Sequence, residues 1–268
     1  MSLRRPMWRS AWDFALVLFG FAFLALVCFV WALAALALYP VLPAAAGRRA
    51  GRRGAMWGFR IYLGTMEALG AWRLDLTQID SLRDAGPLII APNHPCLLDA
   101  VLVVSRLPDA VCVMKGTLLN TFFLGPAARL ARYVRNDTLL RLVTRAGEEL
   151  RAGGQLLLFP EATRSIAQPI GPFTEAVGAI ARRAQVPVQT LIVEADADFL
   201  GKGWSLARVP ALPLTYRVRM GRRFDPPADV RSFTASLEQY FRRELGREAV
   251  ADEAIAQQPI AEPPRAHG

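Results

Sequence analysis

From Phe14 to Tyr39 the chain carries no charged side chain: FALVLFGFAFLALVCFVWALAALALY, 26 residues. As one helix this run would be roughly 39 Å long at 1.5 Å per residue. A hydrocarbon core is about 30 Å thick, so the run can cross it with tilt. The competing arrangement is a re-entrant or interfacial hairpin broken near Gly20 or mid-run. Trp8, Trp12 and Tyr39 stand near its ends, where aromatic belts form, and Pro40 and Pro43 stop a helix. Arg4, Arg5 and Arg9 with Ala44–Ala46 imitate a signal peptide, but an h-region spans only about 7–15 residues. A retained membrane anchor is the expectation.

The net charge of +9 is concentrated beside this run. Residues 1–60 hold eight arginines and one acid, Asp13. Arginines that flank an apolar helix suit anionic lipid headgroups, and no motif or interleaved aromatic pattern supports nucleic-acid binding. Three arginines precede the run and four follow it by Arg53, a slight bias towards a catalytic domain on the cytoplasmic side of a bacterial inner membrane. Three cysteines are too few for a disulfide framework, and no Cys/His spacing suggests a metal. With only His94 and His267 present, a mechanism that needs a histidine has almost no choice of residue.

After the anchor (residues 1–55) the pattern predicts a domain over 56–250 and a disordered tail over 251–268, in which His267 is inert. Met56–Leu69 reads as a helix, packed on the domain or lying on the membrane. Strands are expected at 72–77, 88–91, 110–114, 155–159, 186–193 and 213–220. Helices are expected near 97–106, 138–151, 174–183 and 233–245. Strands alternating with helices indicate an α/β domain with a central, mostly parallel sheet flanked by helices.

Two polar turns follow predicted strands. In Pro92-Asn93-His94-Pro95-Cys96-Leu97-Leu98-Asp99 a histidine leaves the strand, and an aspartate comes five residues later, about one turn into a helix. A carboxylate there can fix the imidazole tautomer and leave the other nitrogen to act as general base. Equally, Asp99 can cap backbone while His94 packs. Phe159-Pro160-Glu161-Ala162-Thr163-Arg164-Ser165 offers a carboxylate, two hydroxyls and a guanidinium, whose fork suits a phosphate. The plainer reading there is a surface salt bridge from Glu161 to Arg164. Both turns would lie at strand carboxyl ends, where open α/β sheets bind ligands.

Together these turns resemble the signature blocks of the phospholipid/glycerol acyltransferases, typified by lysophosphatidate acyltransferase. Asn93, His94 and Asp99 match the Asn-His-x4-Asp block. Phe159, Pro160, Glu161, Thr163, Arg164 and Ser165 match Phe-Pro-Glu-Gly-Thr-Arg-Ser, with Ala162 in place of glycine, and Val186-Pro187-Val188 resembles the apolar fourth block. The resemblance covers about residues 70–195. It implies acyl transfer from an acyl-CoA or acyl-carrier-protein thioester to the hydroxyl of a lysophospholipid, with no metal or organic cofactor. His94 would deprotonate the acceptor and Asp99 would orient His94. Asn93, Glu161, Thr163, Arg164 and Ser165 would bind the acceptor, with Arg135 nearest the second-block arginine.

That second block departs from the family. Arg132 stands where glycine is expected, and Asn136 lies near the expected arginine with Arg135 one place earlier. Such changes point to a specialised branch using a carrier-protein pathway, which Asp198–Trp204 also resembles. Cys96, two residues from His94, offers a rival covalent route through an acyl-thioester. It stands at a variable position of the block, which favours packing. A thioesterase or a non-catalytic lipid-binding protein are the alternative functions. The chain lacks the Gly-x-Ser-x-Gly element of a serine hydrolase.

Overall fold

The computed structural model describes residues 7–164, 170–197, 199–201, 203–204 and 208–256. Helix α1 (Met7–Leu38) runs unbroken through Gly20, so the apolar run is one helix and not a re-entrant hairpin. Its segment Ala11–Leu38 is long and apolar enough to cross a membrane. After the Pro40–Pro43 turn the chain reverses into α2 (Ala44–Ala68), with Pro43 at the N-cap. The helix therefore begins twelve residues before the expected Met56 and runs straight through the anticipated boundary at residue 55. Its start, AAAGRRAGRRG, was read as a basic flank because it lacks an apolar stripe.

The sheet that follows has β1 (Trp72–Asp75), β2 (Ile89–Pro92), β3 (Ala110–Lys115), β4 (Val134–Asn136), β5 (Gln155–Leu157), β6 (Val188–Ala195) and β7 (Leu214–Phe224). Their spatial order is β1-β7-β6-β2-β5-β3-β4. All pairings are parallel except β6 with β7. The helices are α3 (Asp99–Val104), α4 (Gly116–Leu119), α5 (Gly125–Leu130), α6 (Leu139–Arg151), α7 (Ala176–Ala184) and α8 (Val230–Ala256). Helix α8 enters the expected tail by six residues, since Ala and Glu there are good helix formers. His267 lies outside the described residues.

Sheet and helices share two cores, which explains why the central strand β2 (IIAP) is apolar and buried at every position. On β2, Ile90 joins one core while Ile89 and Ala91 join the other. The first core receives Tyr62, Leu63 and Met66 from α2, Val101–Val104 from α3, and Leu16 and Val17 from α1. The second receives Leu142 and Ala146 from α6, Ile180 from α7, and Phe233, Leu237 and Phe241 from α8. Each fully buried Leu, Ile or Phe contributes about 1.5–3 kcal/mol of transfer free energy. A sheet covered on both faces leaves its strand ends as the place where polar groups can gather.

Helix α2 is joined to this domain by shape and by charge. A Cβ at Gly51 would stand 2.4 Å from the Ala131 backbone nitrogen, so only glycine allows this approach. Beside it the buried Arg52 donates from Nη2 to Glu149 Oε2 at 2.5 Å and from Nε to the Ala131 carbonyl at 3.2 Å. Burial lowers the Arg52 pKa from its ordinary value, and the Glu149 charge opposes that. Gly51→Ala is expected to unseat α2 and cost about 2 kcal/mol or more by overpacking. Gly64→Ala, on the same helix with open space around it, should stabilise by up to about 1 kcal/mol. Thermal unfolding of the two variants in detergent would test the contrast; equal melting temperatures would refute it.

Candidate active site

Strand β2 ends in a turn held by its first polar residue. Asn93 is buried, its Nδ2 donates to the Val193 carbonyl at 2.9 Å, and its Oδ1 accepts from the Val193 N–H at 2.7 Å. Both ends of the amide are spent on β6. Asn93 thereby holds the turn against β6.

The turn delivers His94 to Asp99. His94 Nδ1 lies 2.9 Å from Asp99 Oδ2, and Asp99 is fully buried while the His94 side chain keeps 16% exposure. A carboxylate accepts, so Nδ1 carries the proton and Nε2 is left as the basic nitrogen. The Phe159 ring stacks on the imidazole, with centroids 3.9 Å apart and planes 22° from parallel. One face of the base is thus covered, and the ring has a single open edge.

The second polar turn meets the first from β5. Glu161 is 5% exposed. Its Oε2 accepts from Gly171 N–H at 2.8 Å and its Oε1 from the His94 backbone N–H at 3.4 Å. The carboxylate ties the two turns together. Arg164 Nη1 donates to the carbonyls of Leu200 and Gly201 at 2.9 and 3.1 Å. Leu200 also accepts from Leu97 N–H at 3.2 Å, so Arg164 pins a loop beside the start of α3. Thr163 is half-buried in the same turn. Ser165 and Lys202 lie outside the described residues.

Arg135 stands apart. It sits on the edge strand β4, half exposed, with Nε donating to Asp137 at 2.7 Å. Strands β5 and β3 separate β4 from β2, a lateral distance of roughly 14 Å at about 4.8 Å per strand. Arg135 can reach a part of a ligand remote from His94 but not a group bound at it. Sequence reasoning passed over Lys115, which ends β3 exposed, one strand nearer, opposite Asn136 in register. The available signal was a lone lysine closing an apolar strand in an arginine-rich chain.

Arg132 and Ala162 replace glycines of the resembled blocks, and both adopt left-handed backbone, with φ of 59° and 55°. The fold has kept the conformation although the residue that favours it is gone.

Residues 73–194 match the family model described as Acyltransferase. Over this segment the chain is similar to the acyltransferase family. The human 1-acyl-sn-glycerol-3-phosphate acyltransferase beta is 28% identical over 138 residues, 47% of this chain and 48% of that protein. The 1-acyl-sn-glycerol-3-phosphate acyltransferase of Pseudomonas aeruginosa is 25% identical over 187 residues, 66% of this chain and 70% of that protein. The chain thus matches about half the length of the human relative. In fold, it is similar to the crystal structure of the 1-acyl-sn-glycerophosphate (LPA) acyltransferase PlsC from Thermotoga maritima. The TM-score is 0.61 at 18% identity, covering 94% of this chain and 100% of that one. The matched acyltransferase segment contains both polar turns.

Left-handed backbone costs a residue bearing a Cβ about 1–2 kcal/mol, partly offset by the larger unfolded-state entropy of glycine. Ala162 is exposed, so its methyl has little packing to lose. Ala162→Gly should therefore raise stability by up to about 1 kcal/mol, or roughly 2–4 °C in Tm for a domain of this size. A lowered Tm would show that the methyl makes a compensating contact.

Proposed function

We propose that the chain is a membrane-bound O-acyltransferase that moves an acyl group from a thioester to the hydroxyl of a lysophospholipid. The observation that carries the reading is the His94–Asp99 pair, at 2.9 Å, on the carboxyl end of the central parallel strand β2. The names of the relatives support 1-acyl-glycerol-3-phosphate or a related acceptor. Coenzyme A and acyl-carrier protein present the same thioester bond, and either serves as donor.

His94 Nε2 takes the hydroxyl proton as the acceptor oxygen attacks the thioester carbon. The C–S bond then breaks and the thiol leaves. Asp99 holds the proton on Nδ1 and steadies the imidazolium that forms. A thiolate is a good leaving group, so one base suffices, and such a base contributes about 10²–10⁴-fold. Arg164, in the turn that Glu161 ties to His94, has the chemistry to hold an anionic headgroup, with Thr163 and Ser165 beside it in sequence, while Lys115 and Arg135 meet more distant parts of a ligand. Asn93 and Glu161 shape the site. The length of α1 and the exposed Trp57 and Ile61 on α2 support attachment to a bilayer, with residues 1–55 as anchor and 56–250 as the transfer domain. The bilayer supplies the lysolipid and takes up the product. We place the transfer domain on the cytoplasmic side of a bacterial inner membrane.

The test is mass-spectrometric product analysis with purified protein in detergent. Donors are acyl-CoA and acyl-carrier protein, and acceptors are lysophosphatidate, other lysolipids and uncharged alcohols. Transfer to a lysolipid is expected, with at least about 10²-fold loss in His94→Ala and in Asp99→Asn. Free fatty acid released without an acceptor would replace the reading with a thioesterase. Full activity in His94→Ala would remove His94 as the base.

A further inference from the structure

Three hydrogen bonds converge on the buried Asp99 carboxylate. Oδ2 accepts from His94 Nδ1 and from the Cys96 backbone N–H, and Oδ1 accepts from the Cys96 thiol, each at 2.9 Å. Two of the three donors thus belong to Cys96. The N–H survives any substitution that keeps the backbone; the thiol does not. Among the described residues no other side chain donates to Oδ1. Without the thiol, Oδ1 would be a buried acceptor left unmatched, free to exchange places with Oδ2 by rotation about Cβ–Cγ.

We propose that Cys96 is a positioning residue of the transfer reaction, its thiol occupying Asp99 Oδ1 so that Oδ2 alone faces His94 and Nε2 is aimed at the acceptor. The inference rests on the function proposed above. Burial, and then the adjacent Asp99 charge, holds the Cys96 thiol well above its ordinary pKa. The sulfur is therefore a standing donor at any working pH. The same protonation weighs against the covalent route considered from the sequence, since the thiolate is the nucleophile. A donor to Oδ1 also draws negative charge away from the oxygen that faces the imidazole. Cys96 thereby tempers how strongly Asp99 holds His94 in the charged form.

Other charged or titratable groups around the pair come from neighbouring elements. Glu161, after β5, accepts from the His94 backbone N–H at 3.4 Å. Tyr216, on β7, has a buried hydroxyl whose pKa is held far up by burial and then by Cys96, Asp99, Tyr62 and Asp196. Tyr216 thus stays neutral alongside the thiol, and its hydroxyl has no hydrogen-bond partner among the described residues.

The chain has two histidines, so ¹³C-histidine labelling gives two titration curves, and His267→Gln leaves only that of His94. The experiment compares full-length wild type, Cys96→Ala, Cys96→Val and Cys96→Ser in detergent, by His94 titration and by steady-state kinetics. Loss of the donor in Ala and Val is expected to move the His94 midpoint upward by about half a pH unit. It should lower kcat by roughly 3–10-fold with KM within about twofold, as when an interaction of the transition state is lost. Cys96→Ser, which keeps an O–H donor, should restore both the midpoint and most of the rate. Val fills the space that Ala leaves, so one donorless variant remains informative if the other fails to fold. A wild-type midpoint in the donorless variants would overturn the proposal, as would Ser behaving like Ala. The titration needs no turnover: a shifted midpoint in a protein that transfers no acyl group would retain the Cys96–Asp99–His94 coupling and refute the proposed function instead.

Discussion

Asn93 holds the end of β2 against β6 by two hydrogen bonds to the backbone of a single residue, Val193. A strand end is normally where pairing frays. This side chain extends the ladder by one residue and does so inside the core, where a broken bond would leave buried polar groups unmatched. The next residue out is His94. Its direction, the reach of Asp99 from the first turn of α3 and the approach of Glu161 from β5 all presuppose that the turn leaves the sheet at one fixed angle. The polar clamp thus sets the geometry of the basic site, and the apolar layers on either side of the sheet keep water from competing with it.

The N-terminal helices are tied into the same construction. Helix α1 contributes Leu16 and Val17 to the core beneath α2, and α2 is seated through Gly51 and Arg52 on the stretch that feeds β4. Val17 and Phe21 of α1 also border a small apolar cavity with Phe199 and Leu200. The Leu200 carbonyl is one of those that Arg164 holds. A continuous set of contacts therefore runs from the most apolar helix to the guanidinium nearest the histidine. The apolar helix is part of the domain's packing as well as a candidate for the bilayer.

Much of this was legible in the sequence. The strands at β2, β3 and β5 are short, mainly apolar runs with few other ways to be buried, and β7 is marked by its alternation of apolar and polar residues. The His-x4-Asp spacing by itself allowed a capping aspartate and a packed histidine; only coordinates chose the pair. The edge strand β4 was missed because Val134-Arg135-Asn136 has no apolar repeat of its own and is a strand only because β3 offers it a partner. The helical start of α2 was missed because its buried face is made of glycines and an arginine, neither of which registers as hydrophobic. The family resemblance implies acceptor binding by Glu161 and Asn93; the structure adds that both are buried and bonded to the chain's own backbone.

The sequence by itself determined that there would be an apolar helix, a doubly covered sheet and two polar turns, because each of these follows from local pattern: hydrophobic period, β-branched runs, and proline and glycine punctuation. Tertiary structure decided which polar atoms meet. Asp99 is bonded by Cys96 as well as His94, and Arg164 donates to the carbonyls of Leu200 and Gly201, far along the chain. It also decided that Arg132 and Ala162 would hold left-handed backbone. Hydrogen bonds and backbone strain depend on positions to within tenths of an ångström. Such positions are set by packing between segments distant in the chain, and no local reading of residue types contains them.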